Sequence, residues 1–516
     1  MARRTCVRTA VSSSVLLAVL AIGVLAQEPY WIEAIGAGGF ERVECIDIAS
    51  DGSLYVAGRT TSYGAGNSDG WIAKLSKDGS ITWEMALGWS GTDQLYDIAA
   101  TADGGCIAAG TTWSDALGAS DGWLIKLSSS GTVEWQRTYG GSGEDILYTI
   151  DTTSDGGYVV SAGTPTNQGS NNGWIAKLES NGHIEWQYTY GGDAYDNLTS
   201  VRQADDGGFI ATSETLSYGA GQEDLWVVKL GASGEIEWQS CYGGAQEDYA
   251  NDAIPTSDGG YLVVGASYSF AVGDKDAWFL KLDVDGAVEW EAAVGGVGED
   301  VAREVAEVSG GFVIVGYTTS DGGGGYDGWI AKLSHDGSVV WQRTYGGGNR
   351  DSALGFCLGS GNRIAVAGET ESSGSGSRDA YVLKLNEDGL VVDSCASIQT
   401  ASLTANGTAA TVTPTEATRV ATEFEPRTVT PASEDTSFTP VRVCQGEDPV
   451  IENGDVDLDG DIDHLDARLC FAWSMGCFSG TPEQRLQADV DDDGDVDFDD
   501  ANAIAEHVIG MRGTLP

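Results

Sequence analysis

The chain has 516 residues, of which 78 are acidic and 27 basic, giving a formal net charge of −51 at pH 7. Such a charge repels nucleic acid and anionic membranes, so it excludes nucleic acid as a partner, and it favours the binding of cations. Hydrophobic residues make up 41% of the sequence, which is typical of folded proteins, and the length predicts more than one domain.

The first 26 residues have the pattern of a secretory signal peptide. Arg3, Arg4 and Arg8 precede an apolar run at 15–25, and small residues end the segment before Gln27. The apolar run is too short to span a bilayer, and no other stretch of the sequence is long enough. We therefore predict a secreted protein with no transmembrane segment, extracellular or associated with the cell surface, where disulfide bonds can form.

One internal repeat organises most of the sequence. The segment DGWIAKLSKDGSITW, which ends at Trp83, returns with variations that end at Trp135, Trp186, Trp238, Trp290 and Trp341, and a last copy ends at Asp393. Consecutive endpoints lie 51 or 52 residues apart, and a second signature, SDGSLYVAG in its first copy, keeps the same period. Seven copies at a fixed period indicate a repeat architecture.

Each period contains four predicted β-strands. In the third copy they fall at 145–152, 157–163, 173–178 and 183–190, with Asp-Gly-Gly and Asn-Gly turns between strands. Helical periodicity is absent from the repeats. Four antiparallel strands in a repeat of this length are typical of a propeller blade, so residues 27–393 are predicted to form an all-β, seven-bladed β-propeller.

The ends of this ring are predicted to join. Trp31 lies 52 residues before Trp83 and so occupies the position of a fourth strand whose blade has no other strand nearby, whereas the seventh copy lacks its final Trp. We expect the N-terminal strand to complete the last blade beside the strand of Tyr381, because this pairing would remove an exposed sheet edge.

Thirteen of the 16 tryptophans occupy two recurring positions. One is in the third strand of six blades, at Trp71, Trp123, Trp174, Trp226, Trp278 and Trp329; the other is in the fourth strand, at Trp31 and the six repeat endpoints. Such rings could form a sugar-binding platform, but a ring at the same phase in every blade indicates packing between blades, which we prefer. Trp89, Trp113 and Tyr195 lie outside both positions and mark a candidate ligand face.

Acidic residues also recur in phase. They precede the first strand at Asp93, Asp145, Asp196, Asp248, Asp300 and Asp351, and the third strand at Asp69, Asp121, Asp224, Asp276, Asp327 and Asp379. Paired carboxylates can catalyse glycoside hydrolysis. Their presence in every blade instead favours capping of turns and strand ends.

The repeat resembles those of known propeller families. The spacing in AKLSKDGSITW, which ends at Trp83, resembles the tryptophan-docking repeat of quinoprotein-type propellers, and the whole repeat is more similar to secreted bacterial and archaeal β-propeller-repeat proteins. Quinoprotein enzymes also use adjacent cysteines and a cofactor cavity. No Cys-Cys pair occurs in this sequence, so the resemblance does not imply quinone chemistry.

Residues 394–450 differ from the repeats in composition. They are rich in Thr, Ser and Ala and contain five of the ten prolines, which predicts an extended Thr/Pro-rich linker. Cys395 and Cys444 lie near its two ends, and a disulfide between them would close the segment into an appendage. We leave open whether the segment is a plain linker or such a closed loop.

Two acidic loops in residues 451–516 have the spacing of calcium sites. Oxygen donors occupy positions 1, 3, 5, 9 and 12 of each loop, with a backbone carbonyl at position 7 and a turn glycine, Gly460 or Gly494, at position 6. The predicted ligands are Asp455, Asp457, Asp459, Asp461, Asp463 and Asp466, and then Asp489, Asp491, Asp493, Asp495, Asp497 and Asp500. Calcium is therefore the one cofactor that the sequence predicts.

A helical pattern follows each loop, at 465–473 and at 501–509. This duplicated loop-helix unit, over 453–511, resembles a type I dockerin, a small α module built from paired EF-hand-type loops. The resemblance implies a cohesin-like partner bound through loop positions 10 and 11, which are His464 and Leu465, and then Phe498 and Asp499. These are not the Ser/Thr pairs common in cellulosomal dockerins. Cys470 and Cys477, in the segment between the loops, are candidates for a local disulfide.

Catalytic motifs are scarce in the sequence. His183 and His335 adjoin turns before fourth strands and are expected at the surface, and the two GxSxG matches, around Ser68 and Ser120, precede strands instead of helices. We predict a non-catalytic binding or scaffold propeller, tethered through its dockerin-like module to a cohesin-like partner or cell-surface assembly. An extracellular polysaccharide is its candidate ligand. The alternative is a dockerin-bearing enzyme that degrades polysaccharides, a hydrolase or lyase.

Overall fold

The structure, a computed structural model, describes residues 30–390 except 115, 166–170, 360–362 and 375–376. Between residues 398 and 446 it also describes the backbone of seven short strands. One compact unit, Glu28–Pro449, contains all of the described residues. Every helix or strand assigned within them is a β-strand.

Seven antiparallel sheets form the blades of the propeller; six of them contain four consecutive strands of one repeat, and the seventh combines three strands of the last repeat with the N-terminal strand. The first strands are β2 (Glu41–Ile48), β6 (Asp93–Ala100), β10 (Ile146–Thr152), β14 (Ser200–Gln203), β18 (Asp248–Pro255), β22 (Asp300–Val308) and β26 (Asp351–Leu358). The second strands are β3 (Leu54–Thr60), β7 (Cys106–Thr112), β11 (Tyr158–Pro165), β15 (Phe209–Thr215), β19 (Tyr261–Ser267), β23 (Gly311–Thr318) and β27 (Ile364–Thr370).

The third and fourth strands follow outward. The third strands are β4 (Asp69–Leu75), β8 (Asp121–Leu127), β12 (Asn171–Leu178), β16 (Asp224–Leu230), β20 (Asp276–Leu282), β24 (Asp327–Leu333) and β28 (Asp379–Leu385). The fourth strands are β5 (Ile81–Gly88), β9 (Val133–Tyr139), β13 (Ile184–Gly191), β17 (Ile236–Gly243), β21 (Val288–Gly295), β25 (Val339–Tyr345) and, in the seventh blade, β1 (Tyr30–Ile35). The predicted seven-bladed, all-β propeller is confirmed.

The predicted closure of the ring is also confirmed. β1 pairs antiparallel with β28, so that Trp31 lies opposite Lys384 and Ala34 lies opposite Tyr381. The side chains of Trp31 and Ile35 are fully buried. The last blade is therefore built from both ends of the repeat region, which removes the open edge that an unclosed ring would leave.

A fifth strand lies on the outer edge of every blade, and this feature differs from the prediction. Residues 394–450 were expected to form a linker, but the described parts of this segment pair antiparallel with the seven fourth strands. These outer strands are β29 (Ile398–Thr400), β30 (Thr404–Asn406), β31 (Thr411–Pro414), β32 (Thr418–Ala421), β33 (Arg427–Thr428), β34 (Ala432–Asp435) and β35 (Val441–Gly446).

The outer strands run around the ring in the direction opposite to the repeats. β29 pairs with the sixth blade, the next five strands pair with the fifth blade down to the first, and β35 pairs with β1 in the seventh. Thr is β-branched and common in strands. A Thr-rich segment without a core of its own can thus become ordered because the ring offers seven unpaired edges.

The recurring tryptophans pack between blades. The six third-strand indoles are at most 2% exposed. Five of the fourth-strand indoles donate a hydrogen bond from Nε1 to a backbone carbonyl in the next blade, as Trp83 does to Ser129 (3.1 Å) and Trp31 does to Lys77 (3.2 Å). Their positions are those expected of packing and not of a sugar platform, so the packing interpretation is confirmed.

Candidate functional site

The recurring acidic residues cap the loops between blades. Each of the six predicted first-strand aspartates, and Glu41 in the first blade, accepts a hydrogen bond from the backbone N–H four residues earlier, at 2.7–2.9 Å. Asp300 also accepts a hydrogen bond from the Ser320 hydroxyl (2.7 Å). All of these side chains are buried. These hydrogen bonds are the capping contacts that the sequence predicts at these positions.

The third-strand aspartates are buried beside the caps of the next blade. Asp276 accepts a hydrogen bond from the Val272 N–H (3.0 Å). Burial raises the pKa of Asp276, and the charge of Asp300 in the next blade raises it further. Burial likewise raises the pKa of Asp327 to about 6, with a contribution from Asp351. These paired carboxyl groups lie buried at the junctions between blades.

The first strands of the seven blades surround a central channel that contains a cavity of about 370 Å³. In every blade, the residue three positions after the capping acid, in or next to the first strand, contributes to the lining of this cavity. We call these the axial residues: Glu44, Tyr96, Tyr148, Thr199, Asn251, Arg303 and Leu354. The seven equivalent positions carry six kinds of side chain. The channel is thus where the repeat departs furthest from sevenfold symmetry, and a ring specialised for one ligand needs such a departure.

Buried carboxyl groups join neighbouring blades inside the channel. Asp97 accepts hydrogen bonds from the N–H of Ile150 in the next blade (2.8 Å) and from the thiol of Cys45 in the preceding blade (2.8 Å). Glu304 accepts one from the N–H of Phe356 (2.9 Å). Each carboxyl group therefore joins two blades as a hydrogen-bond acceptor.

Burial governs the ionisation of these groups. It raises the pKa of Asp97 to about 6. It raises the pKa of Glu304 to about 8, and the charge of Asp252 adds to the effect. At neutral pH the Glu304 carboxyl is therefore mostly protonated. Burial also raises the pKa of the Cys45 thiol, so this residue is a hydrogen-bond donor and not a thiolate nucleophile.

Four arginines line the same cavity: Arg42, Arg59, Arg202 and Arg303. Arg42 Nε lies 2.8 Å from Glu44 Oε1, and Arg202 Nε lies 3.7 Å from Asp252 Oδ1. Among the described residues, the Arg303 side chain has no hydrogen bond or ion pair. Arg59 lies with its guanidinium carbon 4.9 Å from the centre of the Phe40 ring, and its buried Nε has no hydrogen-bond partner.

Two further arginines hold a buried carboxylate beside the channel. Glu369 is fully buried and accepts hydrogen bonds from Arg350 Nε (3.0 Å) and Arg378 (2.9 Å). Burial would raise the pKa of Glu369, but the charges of Arg42 and Arg378 and the contacts with Arg350 outweigh it, so the pKa is lowered. The ionised Glu369 thus holds Arg350 and Arg378 in place beside the lining residue Arg42.

The axial residues were not predicted from the sequence, although the sequence contains a pattern that could have identified them. Every copy has the capping acid at the same phase, and the residue three positions later varies from copy to copy. The predicted ligand face does not coincide with the channel, because Trp89, Trp113 and Tyr195 do not line the cavity. Instead, the Trp89 ring packs 5.4 Å from that of Trp123. His183 and His335 are exposed, as predicted.

The predicted calcium ligands, Asp455 to Asp466 and Asp489 to Asp500, lie outside the described residues, as do His464, Leu465, Phe498 and Asp499. Cys395, Cys470 and Cys477 lie outside them too. The backbone of Cys444 is described, in β35 opposite Ile32. Cys45, Cys106, Cys241 and Cys357 are buried free thiols. Within the described ranges, no group of three or more His, Cys, Asp or Glu could hold a metal ion, and no helix could cross a membrane.

Fold and channel together define the class of this protein as a seven-bladed β-propeller. Residues 49–81 and 362–391 match a family model described as a domain of unknown function (DUF5122) beta-propeller. These two segments fall in the first and last copies of the repeat. None of the curated proteins matches the chain.

Several solved structures are similar at low identity. A protein of unknown function from Dyadobacter fermentans DSM 18053 is 12% identical, with a TM-score of 0.41, and the match covers 69% of this chain and 98% of that one. Sqt1 from Chaetomium thermophilum is 11% identical, with a TM-score of 0.38 and coverage of 68% and 100%. Puromycin hydrolase is 14% identical, with a TM-score of 0.40, and the match covers 68% of this chain but 52% of the hydrolase.

Proposed function

We propose that this protein is a secreted, non-catalytic binding propeller whose ligand enters the central channel. The main support for this proposal is that the residues that join the blades repeat around the ring, whereas the axial residues do not. The capping carboxylates and the tryptophans that pack between blades repeat around the ring. The seven axial residues, in contrast, include acidic, basic, aromatic, amide, hydroxyl and aliphatic side chains. A scaffold that repeats everywhere except at one cavity has the form of a rigid support for one asymmetric ligand site.

Binding is favoured over catalysis because the channel carboxyl groups are already engaged. Asp97 and Glu304 each accept a backbone N–H from the next blade, and Asp252 accepts the Ser200 hydroxyl (2.8 Å). A general acid or base must exchange protons with a substrate, whereas these oxygens hold the ring together. The ligand class we propose is an extracellular polysaccharide or a part of one.

We further propose that the C-terminal residues 451–516 are a calcium-binding, dockerin-like module that tethers the ring to a cohesin-like partner or a cell-surface assembly. The support is the duplicated loop with aspartates at matching positions and a glycine at position 6. Six aspartates in one loop and eight in the other would repel one another without a cation. Calcium would therefore order the module as it binds.

The second candidate is a polysaccharide-degrading enzyme, and one observation favours it. Glu304, with its pKa raised to about 8, carries a proton at neutral pH beside the ionisable Asp252 and Asp97. A carboxyl group that stays protonated can act as a general acid in glycoside hydrolysis.

One experiment separates the two candidates. The full chain, saturated with calcium, is incubated with a panel of plant, algal and bacterial polysaccharides, and both retention on the polysaccharide and release of reducing ends are measured. We expect retention without release. Release that disappears in Glu304→Gln, while the variant keeps the circular dichroism spectrum of the wild type, would establish the enzyme and contradict the binding proposal.

A further inference from the structure

The charge balance of the channel lining differs from that of the whole chain. Over the whole chain, acidic residues outnumber basic ones by 78 to 27. In the cavity lining the numbers are equal, with Arg42, Arg59, Arg202 and Arg303 against Glu44, Asp97, Asp252 and Glu304. Since burial keeps Glu304 mostly protonated at neutral pH, the side chains that line the cavity include four guanidinium groups against three carboxylates. Salt screens the distant acidic surface beyond about 8 Å at physiological ionic strength, so the local charge decides what the cavity attracts.

Two of these arginines have no carboxylate partner in the part of the chain that the structure describes. The Arg303 side chain has no hydrogen bond or ion pair among the described residues. Arg59 packs on Phe40 and keeps a buried Nε without a hydrogen-bond partner. Because no described carboxylate pairs with either of these guanidinium groups, both can bind an anionic ligand. Their planar fork matches a carboxylate or sulfate group.

The pairing of β2 with β3 in the first blade also favours an anion at this site. Arg42 in β2 lies directly opposite Arg59 in β3. Like charges in directly opposed positions of an antiparallel pair destabilise it. Glu44 Oε1, 2.8 Å from Arg42 Nε, offsets one of the two charges. An anion beside Arg59 would offset the other.

Two tyrosines of the same lining suit a sugar ring. Tyr96 and Tyr148, axial residues of the second and third blades, have ring centroids 6.3 Å apart. Aromatic side chains offer flat apolar surface with a polar hydroxyl at its edge. Gln94, Thr149 and Thr199 add donors and acceptors to the lining. A volume of about 370 Å³ is at the lower end of the range for small-molecule sites, so it suits a short or terminal saccharide.

We propose that the channel binds an anionic sugar residue, with its carboxylate or sulfate group held by Arg59 and Arg303 and its ring placed against Tyr96 and Tyr148. This inference rests on the proposed binding function and names the ligand class for that same channel. It adds a requirement for negative charge on the ligand, which a neutral polysaccharide does not meet.

The test is calorimetric titration of the full chain with three sets of oligosaccharides of equal length. One set carries uronic-acid carboxylates, one carries sulfate esters, and one is neutral. We expect saturable binding of at least one anionic set, and the comparison of the two anionic arms identifies the group. Removing one charged hydrogen-bonding partner by Arg303→Gln should weaken that binding roughly 10- to 100-fold.

Two variants serve as controls. Arg303→Lys keeps the charge but loses the planar fork, so its affinity should lie between those of the wild type and Arg303→Gln. Arg343→Gln removes the same charge from the outer β25, where Arg343 Nε donates to the Asp388 carbonyl (2.7 Å), and should leave affinity unchanged. Each variant is used only if its circular dichroism spectrum and melting temperature match those of the wild type. Arg59→Gln provides an independent second test.

The outcomes distinguish the two proposals. Equal affinity for the neutral set, unaffected by Arg303→Gln and Arg59→Gln, would overturn the anionic-sugar inference and leave the binding function standing. Anionic binding accompanied by release of reducing ends would support the site and contradict the non-catalytic function. Failure of every set to bind would overturn both.

Discussion

A steric test of the contacts between blades can be made at the turns that precede the fourth strands. Gly131 lies in such a turn with a φ of +83°, and a Cβ at this position would lie 2.8 Å from the ring of Trp83 in the preceding blade. Gly156, in a turn of the third blade, has a φ of +84°, and a Cβ there would have no atom within 4 Å. The two glycines therefore share a backbone conformation and differ in what a methyl group would meet.

The expected magnitudes follow from this difference. Gly156→Ala should destabilise the folded state by about 1–2 kcal/mol, the usual cost of a left-handed conformation for an L-residue. Gly131→Ala has the same cost and must also displace the Trp83 ring. Overpacking adds roughly 1–3 kcal/mol. Losing the indole hydrogen bond to the Ser129 carbonyl adds about 1 kcal/mol. The total of about 3–6 kcal/mol is therefore clearly larger than that of the control variant.

The assay is thermal and urea unfolding of the full chain at a fixed calcium concentration. For a domain of this size, each kcal/mol lowers the melting temperature by about 2 °C, so Gly131→Ala should melt several degrees below Gly156→Ala. Adding Trp83→Ala to both variants should remove the difference, because the methyl group then has no ring to displace. Equal melting temperatures for the two single variants would refute the steric reasoning.

Three further predictions concern the channel, the outer strands and the calcium loops. Because the unfolded carboxyl ionises near pH 4.5 and the folded one near pH 8, the buried Glu304 costs stability that grows as the pH rises between these values. Glu304→Gln should thus match the wild type near pH 4 and be more stable by roughly 3–5 kcal/mol at pH 8 in urea titrations; a constant difference would contradict the burial argument. A chain ending at residue 390 leaves seven fourth strands unpaired, and light scattering should detect self-association that the full chain lacks; a monomer at all concentrations would show that the outer strands are dispensable. Asp455→Ala with Asp489→Ala should abolish the calcium-induced increase in helical circular dichroism of the full chain; an unchanged increase would exclude these loops as the metal sites.

The sequence by itself determined the ring. Its contacts recur at a fixed separation, so each repeat reveals the same strand order and the same inward and outward positions. The strands predicted for the third copy agree with β10, β11, β12 and β13 to within two residues at each boundary. The closure could be predicted because Trp31 keeps the phase of the fourth strand although it lies before the first complete copy.

The outer strands could not be predicted from composition. A Thr/Pro-rich segment lacks a hydrophobic face of its own, so its local sequence favours a linker. Its strands are stabilised by partners that lie far away in the chain, as β35 is by β1 about 410 residues earlier. Only the closed ring supplies these edges, and the pairing is therefore a property of the tertiary structure.

The ligand site was likewise decided by the tertiary structure. Arg303, Tyr96 and Tyr148 are ordinary residues of alternating strands, and nothing in their local sequence separates them from surface positions. They line one cavity because seven first strands converge on a single axis and each turns the residue three positions after its capping acid toward it. The period determines where a side chain points, but the charge and shape of the channel arise from seven different side chains, and these come together only when the ring closes.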